Sequence, residues 1–257
     1  AASEICNGIN VDTLSSKIEK EEDISKIGVC IWDIAHGNVE VAYEICNRIN
    51  VDTLSSKIEK EEDILKIGLC IWGIAHGNVE VAYEICNRIN VDTLSSKIEK
   101  EEDIVKIGSC LRAIATSNEK VALKLVKYVP SKIEKEEDIE KIGSCVEIIA
   151  RASEEVAQEA INRINVDALS SKIEKEEDIR KVGGCVGDIA KASGVVVREI
   201  INRINVDTLS SKIEKEEDIR KVGLCVRDIA EASGVVAREI VNRLNSKLIE
   251  ELQGWLK

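Results

Sequence analysis

Several residue types that help to build ordinary protein cores are scarce in this sequence. Its 257 residues include no Phe, no Met, one Pro and two His, and 2% of them are aromatic. The abundance of Ile, Val, Ala, Glu and Lys instead predicts helices that pack through small and β-branched side chains. No apolar run approaches the roughly 18 residues that a membrane span needs, and no signal peptide is recognisable, so we expect a soluble, cytoplasmic protein without membrane contact.

The sequence also lacks the motifs that carry common chemistries. It has no phosphate-binding G-x-x-x-x-G-K-[ST] loop, no C-x-x-C pair typical of zinc sites, and no evident Ser/His/Asp or Cys/His set. His36, His76 and Asp33 could be imagined as metal ligands, but they lack the surrounding hydrogen bonds that metal-bound histidines have. We therefore expect a protein that is not an enzyme and that holds neither a metal nor a cofactor.

The nine cysteines recur in positions that require apolar bulk. Six of them occupy the same position of one repeated segment: Cys30, Cys70, Cys110, Cys145, Cys185 and Cys225. Neighbouring copies of a stacked segment lie about 8–10 Å apart, whereas disulfide-bonded Cα atoms lie within about 7 Å of each other. In a second position, Cys6, Cys46 and Cys86 are replaced by Val or Ile in later copies. We therefore predict reduced, packed thiols.

The net charge of −12 arises from one recurring segment. The string KIEKEEDI occurs six times, and each copy carries two Lys against three Glu and one Asp, so six copies at −2 each account for −12. The rest of the chain is balanced. An acidic rim of this kind argues against general binding to a nucleic-acid backbone.

The six copies begin 40, 40, 35, 40 and 40 residues apart, which is the signature of stacked repeats. We place a partial repeat at 1–10, a capping helix at 246–257 and six sequence repeats between them. These six repeats span 11–50, 51–90, 91–128, 129–165, 166–205 and 206–245.

The ends and the middle of the array depart from this pattern. AASEICNGIN at 1–10 aligns with VAYEICNRIN, the end of a repeat, so we expect a fragment of a longer array that extends N-terminally. SKLIEELQGWLK at the other end places an apolar stripe, including Trp255, on one side of the predicted cap. KYVPSKIEK stands where other copies have RINVDTLSSKIEK, and the spacing to this copy is 35 residues instead of 40, so we expect the short first helix of the fourth repeat to be lost or shortened by five residues. Pro130 is therefore expected to divide the array into two halves of three repeats.

Each full repeat is predicted to form three helices. A short helix begins at Asp12, and a second begins near Glu21–Asp23, where three acids favour a helix N-terminus, and runs to His36. Gly37 then breaks the chain, and Asn38 can cap the third helix. Because no Gly or Pro separates the first two helices, one long helix followed by a short one is the alternative.

Three helices in about 40 residues, the first of them short, resemble an armadillo or HEAT-type α-solenoid over essentially the whole chain. The glycine that often follows the first armadillo helix is absent. The motif EDIxKIGxCIxxIAxxSxEVAxEIxNRI also resembles the near-identical repeat arrays at the C-termini of prokaryotic STAND-type NTPases, and this resemblance implies a sensor region. We therefore expect an all-α, right-handed α-solenoid of six three-helix repeats with a C-terminal capping helix.

Alignment of the second helices separates fixed columns from five that vary. The fixed columns, which include Ile24, Gly28 and Cys30, fall on one arc at about 100° per residue and are predicted to form the core, with the glycine marking a close helix approach. The variable columns are named by their position in the first repeat as columns 25, 29, 32, 33 and 36. They fall on the opposite arc, the variable face, which we predict to face solvent and to bind a partner.

The predicted contact residues divide between the two halves of the array. In the first three repeats they are Ser25, Val29, Trp32, Asp33, His36, Leu65, Leu69, Trp72, His76, Val105, Ser109, Arg112 and Thr116. In the last three they are Glu140, Glu147, Ile148, Arg151, Arg180, Asp188, Lys191, Arg220, Leu224, Arg227, Asp228 and Glu231. Trp32 and Trp72, one helix spacing apart, could form an aromatic pair or be buried against a neighbouring helix. Column 43 on the third helix either borders this face or varies as ordinary surface.

Drift at exposed sites is the competing explanation of this variation. Drift should also alter other columns that we expect to be exposed, such as those of Lys17, Glu19 and Lys26, yet these are constant. Trp and Arg, moreover, dominate interface hot spots. The favoured hypothesis is that a monomeric fragment of a signalling or defence protein recognises a protein or an extended peptide. A scaffold without a natural partner and a nucleic-acid-binding solenoid are the alternatives.

Overall fold

The computed structural model describes residues 10–232, 234–243 and 253–254. Over these residues the chain is helical and contains no strand, which confirms the all-α prediction. Within the same ranges, no helix has the length and apolar character that crossing a lipid bilayer requires. The partial repeat at 1–10 and the capping helix at 246–257, with Trp255, lie outside the described residues except at Asn10, Gln253 and Gly254.

The helices follow one another in a regular order. The first nine are α1 (Val11–Lys20), α2 (Ile24–Gly37), α3 (Val39–Arg48), α4 (Val51–Lys60), α5 (Ile64–Gly77), α6 (Val79–Arg88), α7 (Val91–Lys100), α8 (Ile104–Ser117) and α9 (Glu119–Leu125). After a 3₁₀ turn at Val126–Tyr128 come α10 (Val129–Lys135), α11 (Ile139–Ala150), α12 (Glu154–Asn162), α13 (Val166–Lys175), α14 (Ile179–Ala192), α15 (Gly194–Arg203), α16 (Val206–Lys215), α17 (Ile219–Ala232) and α18 (Gly234–Arg243). From α1 onward they alternate as first, second and third helices of the sequence repeats.

The chain divides into two compact units. Unit 1 comprises Ala1–Tyr128 and Arg151–Val156, and unit 2 comprises Val129–Ala150 and Ala157–Lys257. The main boundary falls beside Pro130, where the sequence predicts a division into halves.

A capped break between the first and second helices decides between the two predicted arrangements. The backbone is extended at Glu21 and at Asp23, the Asp23 side chain accepts a hydrogen bond from the Ser25 backbone N–H, and the Glu21 side chain accepts one from the Asp23 N–H at 3.0 Å. Carboxylate oxygens thus satisfy backbone donors at the start of the second helix. The alternative of one long helix is therefore wrong.

Short polar side chains set the other helix starts. The first helix begins at Val11 rather than at the predicted Asp12, because the Asn10 side chain accepts a hydrogen bond from the Thr13 backbone N–H at 2.9 Å. The third helix is capped by Asn38 as predicted, since its side chain accepts hydrogen bonds from two backbone N–H groups.

The fourth repeat has a shortened first helix. Helix α10 has 7 residues where α1 has 10, and the 3₁₀ turn Val126–Tyr128 leads into it. Pro130 lies in the first turn of α10, where a missing N–H costs no helical hydrogen bond. The loss of residues in this repeat therefore shortens the first helix without removing it.

The second helices form the centre of each unit. In unit 1, α2 packs on α5 and α5 packs on α8; in unit 2, α11 packs on α14 and α14 packs on α17. The facing sides carry buried aliphatic residues such as Ile31, Ile71 and Val146, each 0% exposed. Burying one such side chain contributes about 1.5–3 kcal/mol, so this repeated apolar arc is a major source of stability.

The fixed glycine column permits this packing. A Cβ on Gly28 would lie 2.3 Å from the carbonyl O of Leu69 and 2.6 Å from the Cα of Cys70. A Cβ on Gly183 would lie 2.6 Å from the Cα of Cys225. Side-chain carbons do not come this close to other atoms, so neighbouring backbones meet where the glycine has no side chain. The close approach predicted for this column is therefore confirmed.

The thiols are packed as predicted. The eight cysteines that the structure describes are thiols outside any disulfide, and all of them except Cys30 are buried. Burial raises the pKa of Cys110 and that of Cys185 to about 12, so these thiols stay protonated near neutral pH.

Candidate recognition surface

The predicted contact residues are accessible. None of them is buried, and Val29, Trp32 and Leu69 are 46%, 37% and 40% exposed. On the opposite arc, Ile31 and Ile71 are fully buried. The predicted division into a buried fixed arc and an accessible variable arc therefore holds for these residues.

Columns 32 and 33 are not exposed in every repeat, contrary to the prediction for the whole arc. Gly73, Ala113 and Gly187 are buried. A Cβ on Gly73 would lie 2.0 Å from the carbonyl O of Gly28, so the residue at this position is dictated by the approach of α5 to α2. Part of the variation in column 33 therefore reflects helix packing and carries no information about a partner.

In unit 1 the variable face carries a connected set of aromatic rings. Between ring centroids, His36 lies 4.0 Å from Trp32 and 6.2 Å from His76, and His76 lies 4.5 Å from Trp72. The Nδ1 atom of each histidine is 2.9 Å from the carbonyl O of the tryptophan one turn earlier. Since a carbonyl only accepts, Nδ1 carries the proton in this hydrogen bond. The two tryptophans predicted to pair are thus linked through two histidines.

Arg112 extends this aromatic set. Its guanidinium carbon lies 4.4 Å from the ring centroid of Trp72, a cation–π geometry. The Nε atom of Arg112 is buried and has no hydrogen-bond partner among the described residues. Other arginines of unit 1, such as Arg48 and Arg88, form ion pairs with acids of neighbouring helices. We call Trp32, His36, Trp72, His76 and Arg112 the aromatic row.

Exposed apolar area is concentrated in unit 1. Among the residues whose side chains the structure describes, the exposed large apolar residues of unit 1 are Val29, Trp32, Val39, Tyr43, Leu69, Val79 and Tyr83, and unit 2 has only Val195. Tyr43 and Tyr83 belong to column 43, which is therefore accessible in these two repeats. Its exposure fits both explanations offered for this column.

In unit 2 the same columns carry paired charges. Lys191 Nζ lies 2.7 Å from a Glu147 carboxylate oxygen and 3.0 Å from one of Asp188, and Arg227 lies 2.8 Å from Asp228. Burial raises the pKa of Asp188; the hydrogen bond from Lys191 opposes this shift, and the nearby carboxylates of Glu147 and Asp228 reinforce it. The variable face of unit 2 is therefore a network of partly buried, mutually neutralising charges.

Small residues in column 29 open a groove in unit 2. A Cβ added to Gly184 would meet no atom within 4 Å, and Ser144 occupies the same column one repeat earlier. The groove measures about 470 Å³. Its variable-column lining includes Glu140, Arg180, Asp188, Leu224, Arg227 and Asp228. Because most of these side chains are charged, the groove suits a polar segment of a partner.

The constant lysine column has a structural role that the sequence does not reveal. Lys57 Nζ donates hydrogen bonds to the carbonyl O atoms of Glu19 at 2.8 Å and Glu21 at 2.6 Å, and its side chain is 15% exposed. The Lys97 side chain is 5% exposed and lies 3.0 Å from Glu62. These lysines join each first helix to the end of the preceding one, where helix carbonyls lack internal partners.

The glutamate column beside it also joins neighbouring repeats. The backbone N–H of Asn50 donates to the Glu19 carboxylate at 3.3 Å, and that of Asn90 donates to Glu59 at 2.7 Å. These contacts give the constancy of the glutamate column a structural cause. Its constancy is therefore no longer evidence against drift.

We call the charged residues of the six KIEKEEDI segments the constant ridge, and within it the Lys20 column still contrasts with the variable face. Its lysines are exposed in all six repeats, and within the described structure they take part in no hydrogen bond or ion pair. Free drift would be expected to change them, yet they are constant. The contrast between a constant and a varied exposed surface is thus narrower than predicted, but it remains.

No group of three or more His, Cys, Asp or Glu side chains is arranged to hold a metal ion in the described part of the chain. The His36 and His76 rings are nearly parallel and each commits its Nδ1 to a carbonyl oxygen. The expectation that these histidines lack supporting hydrogen bonds is therefore wrong, although they and Asp33 are not gathered into a group of three possible ligands.

Comparisons with protein-family models, curated proteins and solved structures gave no significant match to this chain. Its function therefore has to be inferred from its own residues.

Proposed function

We propose that this chain is an α-solenoid of armadillo/HEAT-like repeats that binds a protein or an extended peptide through its variable face, as the sensor part of a larger signalling or defence protein. One observation carries the proposal. The second helices keep a nearly invariant buried arc, while residues as different as Trp32, Arg112 and Glu147 replace one another on the accessible arc.

Nearest-neighbour packing supports the solenoid. Inside each unit, a second helix contacts the second helix of the adjoining repeat, and the lysine column joins adjoining first helices. Repeats that contact only their neighbours are the defining feature of solenoid proteins. The third helices complete the buried side, as in the contacts of α3 with α2 and of α6 with α5.

The chemistry of the accessible arc supports a polypeptide partner. Trp and Arg supply most of the binding energy in many protein interfaces, and both occur here on helices. Small metabolites bind in enclosed, mostly apolar pockets, whereas the groove of unit 2 is lined mainly by charged side chains. A polypeptide can offer apolar groups to one unit and polar groups to the other.

The state of the basic side chains favours a polypeptide over a nucleic acid. Lys191 and Arg227 are engaged by Glu147, Asp188 and Asp228 on the variable face. Binding to a phosphate backbone depends on basic groups that displace counterions. Basic groups already neutralised by carboxylates contribute little to such binding.

Selection of peptides against the full chain tests the proposal. A random-peptide display library is panned on the parent chain, and the affinities of enriched peptides are measured by biolayer interferometry. The face variant combines Trp32→Ser, Trp72→Ser, Arg180→Ser and Arg227→Ser. A matched control combines four changes in the exposed Lys20 column: Lys60→Ser, Lys100→Ser, Lys175→Ser and Lys215→Ser.

We expect the face variant to lose the enriched peptides and the control to keep them, with both folded by circular dichroism. Equal binding by parent and face variant would place the binding site elsewhere on the chain. Failure to enrich any peptide would leave a scaffold without a partner as the better explanation. If the parent and the face variant bind peptides and nucleic acids alike, and if that binding weakens only as the salt concentration rises, the surface binds charged ligands nonspecifically.

A further inference from the structure

The arginine of the aromatic row differs from the other arginines of unit 1. Arg48 and Arg88 lie within ion-pair distance of acids, Asp12 and Asp52 respectively. Arg112 instead has its guanidinium carbon 4.4 Å from the ring centroid of Trp72 and has no ion pair in the part of the chain that the structure describes. Its Nε is sealed from solvent, so its terminal Nη groups are left to bind an acceptor.

Stacking on Trp72 prepares Arg112 to bind an anion. A guanidinium held against a ring has few rotamers left to lose when it forms hydrogen bonds. Its planar donors match the two oxygens of a carboxylate, and such charge-assisted pairs are stronger than neutral hydrogen bonds. A partly buried cation without a counter-charge is therefore a ready site for a carboxylate.

The residues around Arg112 indicate which other groups a ligand with that carboxylate should carry. In the variable columns of unit 1 the one acid is Asp33, two repeats away from Arg112. Between them lie the apolar and aromatic groups of Leu69, Trp72 and His76, which are exposed or half-buried. The surface of unit 1 is thus apolar at its centre and positive at the Arg112 end.

We propose that unit 1 binds an extended peptide in which an acidic side chain seated on Arg112 follows or precedes an apolar anchor on the aromatic row. This inference rests on the proposed function and names the chemistry of its partner. Adjacent helices are about 10 Å apart and an extended chain rises about 3.3 Å per residue, so the anchor and the acid are separated by about three residues.

The test uses peptides enriched on the full chain and their amide counterparts, in which Glu or Asp is changed to Gln or Asn. Each is measured against the parent, Arg112→Gln, Arg112→Lys and Arg163→Gln, which removes an exposed arginine of unit 2 outside the variable columns. We expect the amide change to weaken parent binding about tenfold or more, the effect of one charge-assisted pair. Arg112→Gln should bind acid and amide peptides equally.

The control variants separate the stacked guanidinium from charge alone. Arg112→Lys keeps the charge but lacks the planar donors, so it should recover only part of the affinity. Arg163→Gln should behave like the parent, because Arg163 lies outside the variable columns. Circular dichroism of each variant establishes that the fold is retained, so a loss of binding reports on the site.

Each contrary outcome has a defined meaning. Suppose that the enriched peptides lose affinity when Trp32 and Trp72 are changed, but not when the peptide's Glu or Asp is replaced by its amide, or not when Arg112 is changed. Either result would overturn this inference and leave the proposed function standing. Failure to enrich any peptide would overturn both. Self-association of the parent, lost in Arg112→Gln by analytical ultracentrifugation, would make a second copy of this acidic chain the occupant and overturn the peptide assignment.

Discussion

In unit 1 the variable columns expose Val29, Trp32 and Leu69, whereas in unit 2 the same columns place Lys191 and Arg227 in ion pairs. The helices that carry these residues have nearly the same fixed arc, so the scaffold does not cause the difference. One helical frame therefore presents an apolar surface in one unit and a neutralised charged surface in the other. The chemistry of the variable face can therefore change without a change in the core.

The two units also differ in the residues that column 33 places beside neighbouring second helices. In unit 1, column 33 holds Gly73 and Ala113, both buried between helices, and Gly73 meets the backbone of Gly28. In unit 2 the same column holds Asp188 and Asp228, which remain partly accessible. The contact at Gly73 is closed, whereas Asp188 and Asp228 line the cavity of about 470 Å³.

Two glycine substitutions should distinguish the closed contact at Gly73 from the open groove at Gly184. Their expected effect on the free energy of unfolding is the largest of the predictions. Gly73→Ala should lower the free energy of unfolding by about 1–3 kcal/mol, because its Cβ overlaps the Gly28 backbone. Gly184→Ala should raise it by about 0.5–1 kcal/mol, because alanine favours the helix and its Cβ enters open space. Urea unfolding followed by circular dichroism measures both, and equal effects would contradict the difference in closure.

Salt should distinguish the charged face from the aromatic row. Lys191→Ala removes exposed ion pairs worth about 0.2–1 kcal/mol, and its effect on unfolding should shrink at high NaCl concentration. Arg112→Ala removes a contact with Trp72 worth about 0.5–1 kcal/mol. Most of this effect should persist at high salt, because salt does not screen the packing of the aliphatic part of the Arg112 side chain on the Trp72 ring. Thermal unfolding at low and high salt is the measurement, and an equal loss in both variants would argue against the distinction.

The constant ridge should respond to pH in the same way in both units, with the smallest effect. The hydrogen bond from Lys97 lowers the pKa of Glu62, and that from Lys172 lowers the pKa of Glu137. Since the folded pKa is below the unfolded one, each carboxylate stabilises the fold above its ordinary pKa, and the contribution is lost as the pH falls through the lowered value.

The corresponding variants are Glu62→Gln and Glu137→Gln. Each should melt slightly below the parent at neutral pH, and the difference should vanish in acid, where the parent carboxyl is protonated as well. Melting temperatures over a pH series test this expectation. A difference that grows as the pH falls would contradict it, and a difference confined to one unit would show that the ridge is not equivalent in the two.

The sequence by itself determined that the chain is helical and which arc of each second helix is buried. The reason is local: the spacing of Ile24, Ile31 and their equivalents defines one helix face, and residues such as Asp23 and Asn38 supply caps to N–H groups two or three positions away. Such contacts are contained in a short window of sequence. The accessible set of contact residues followed from the same periodicity.

Only the tertiary structure decided which positions of the variable columns are accessible and which are covered by a neighbouring helix. The burial of Gly73, the contact of Lys57 with Glu21 and the stacking of Arg112 on Trp72 join residues about one repeat apart, and Lys57 and Glu21 are 36 positions apart. Helical periodicity assigns a residue to a face of its own helix but not to the neighbour that covers that face. How much of that face the neighbouring helix covers depends on how closely the two backbones approach, and the glycine column permits the close approach.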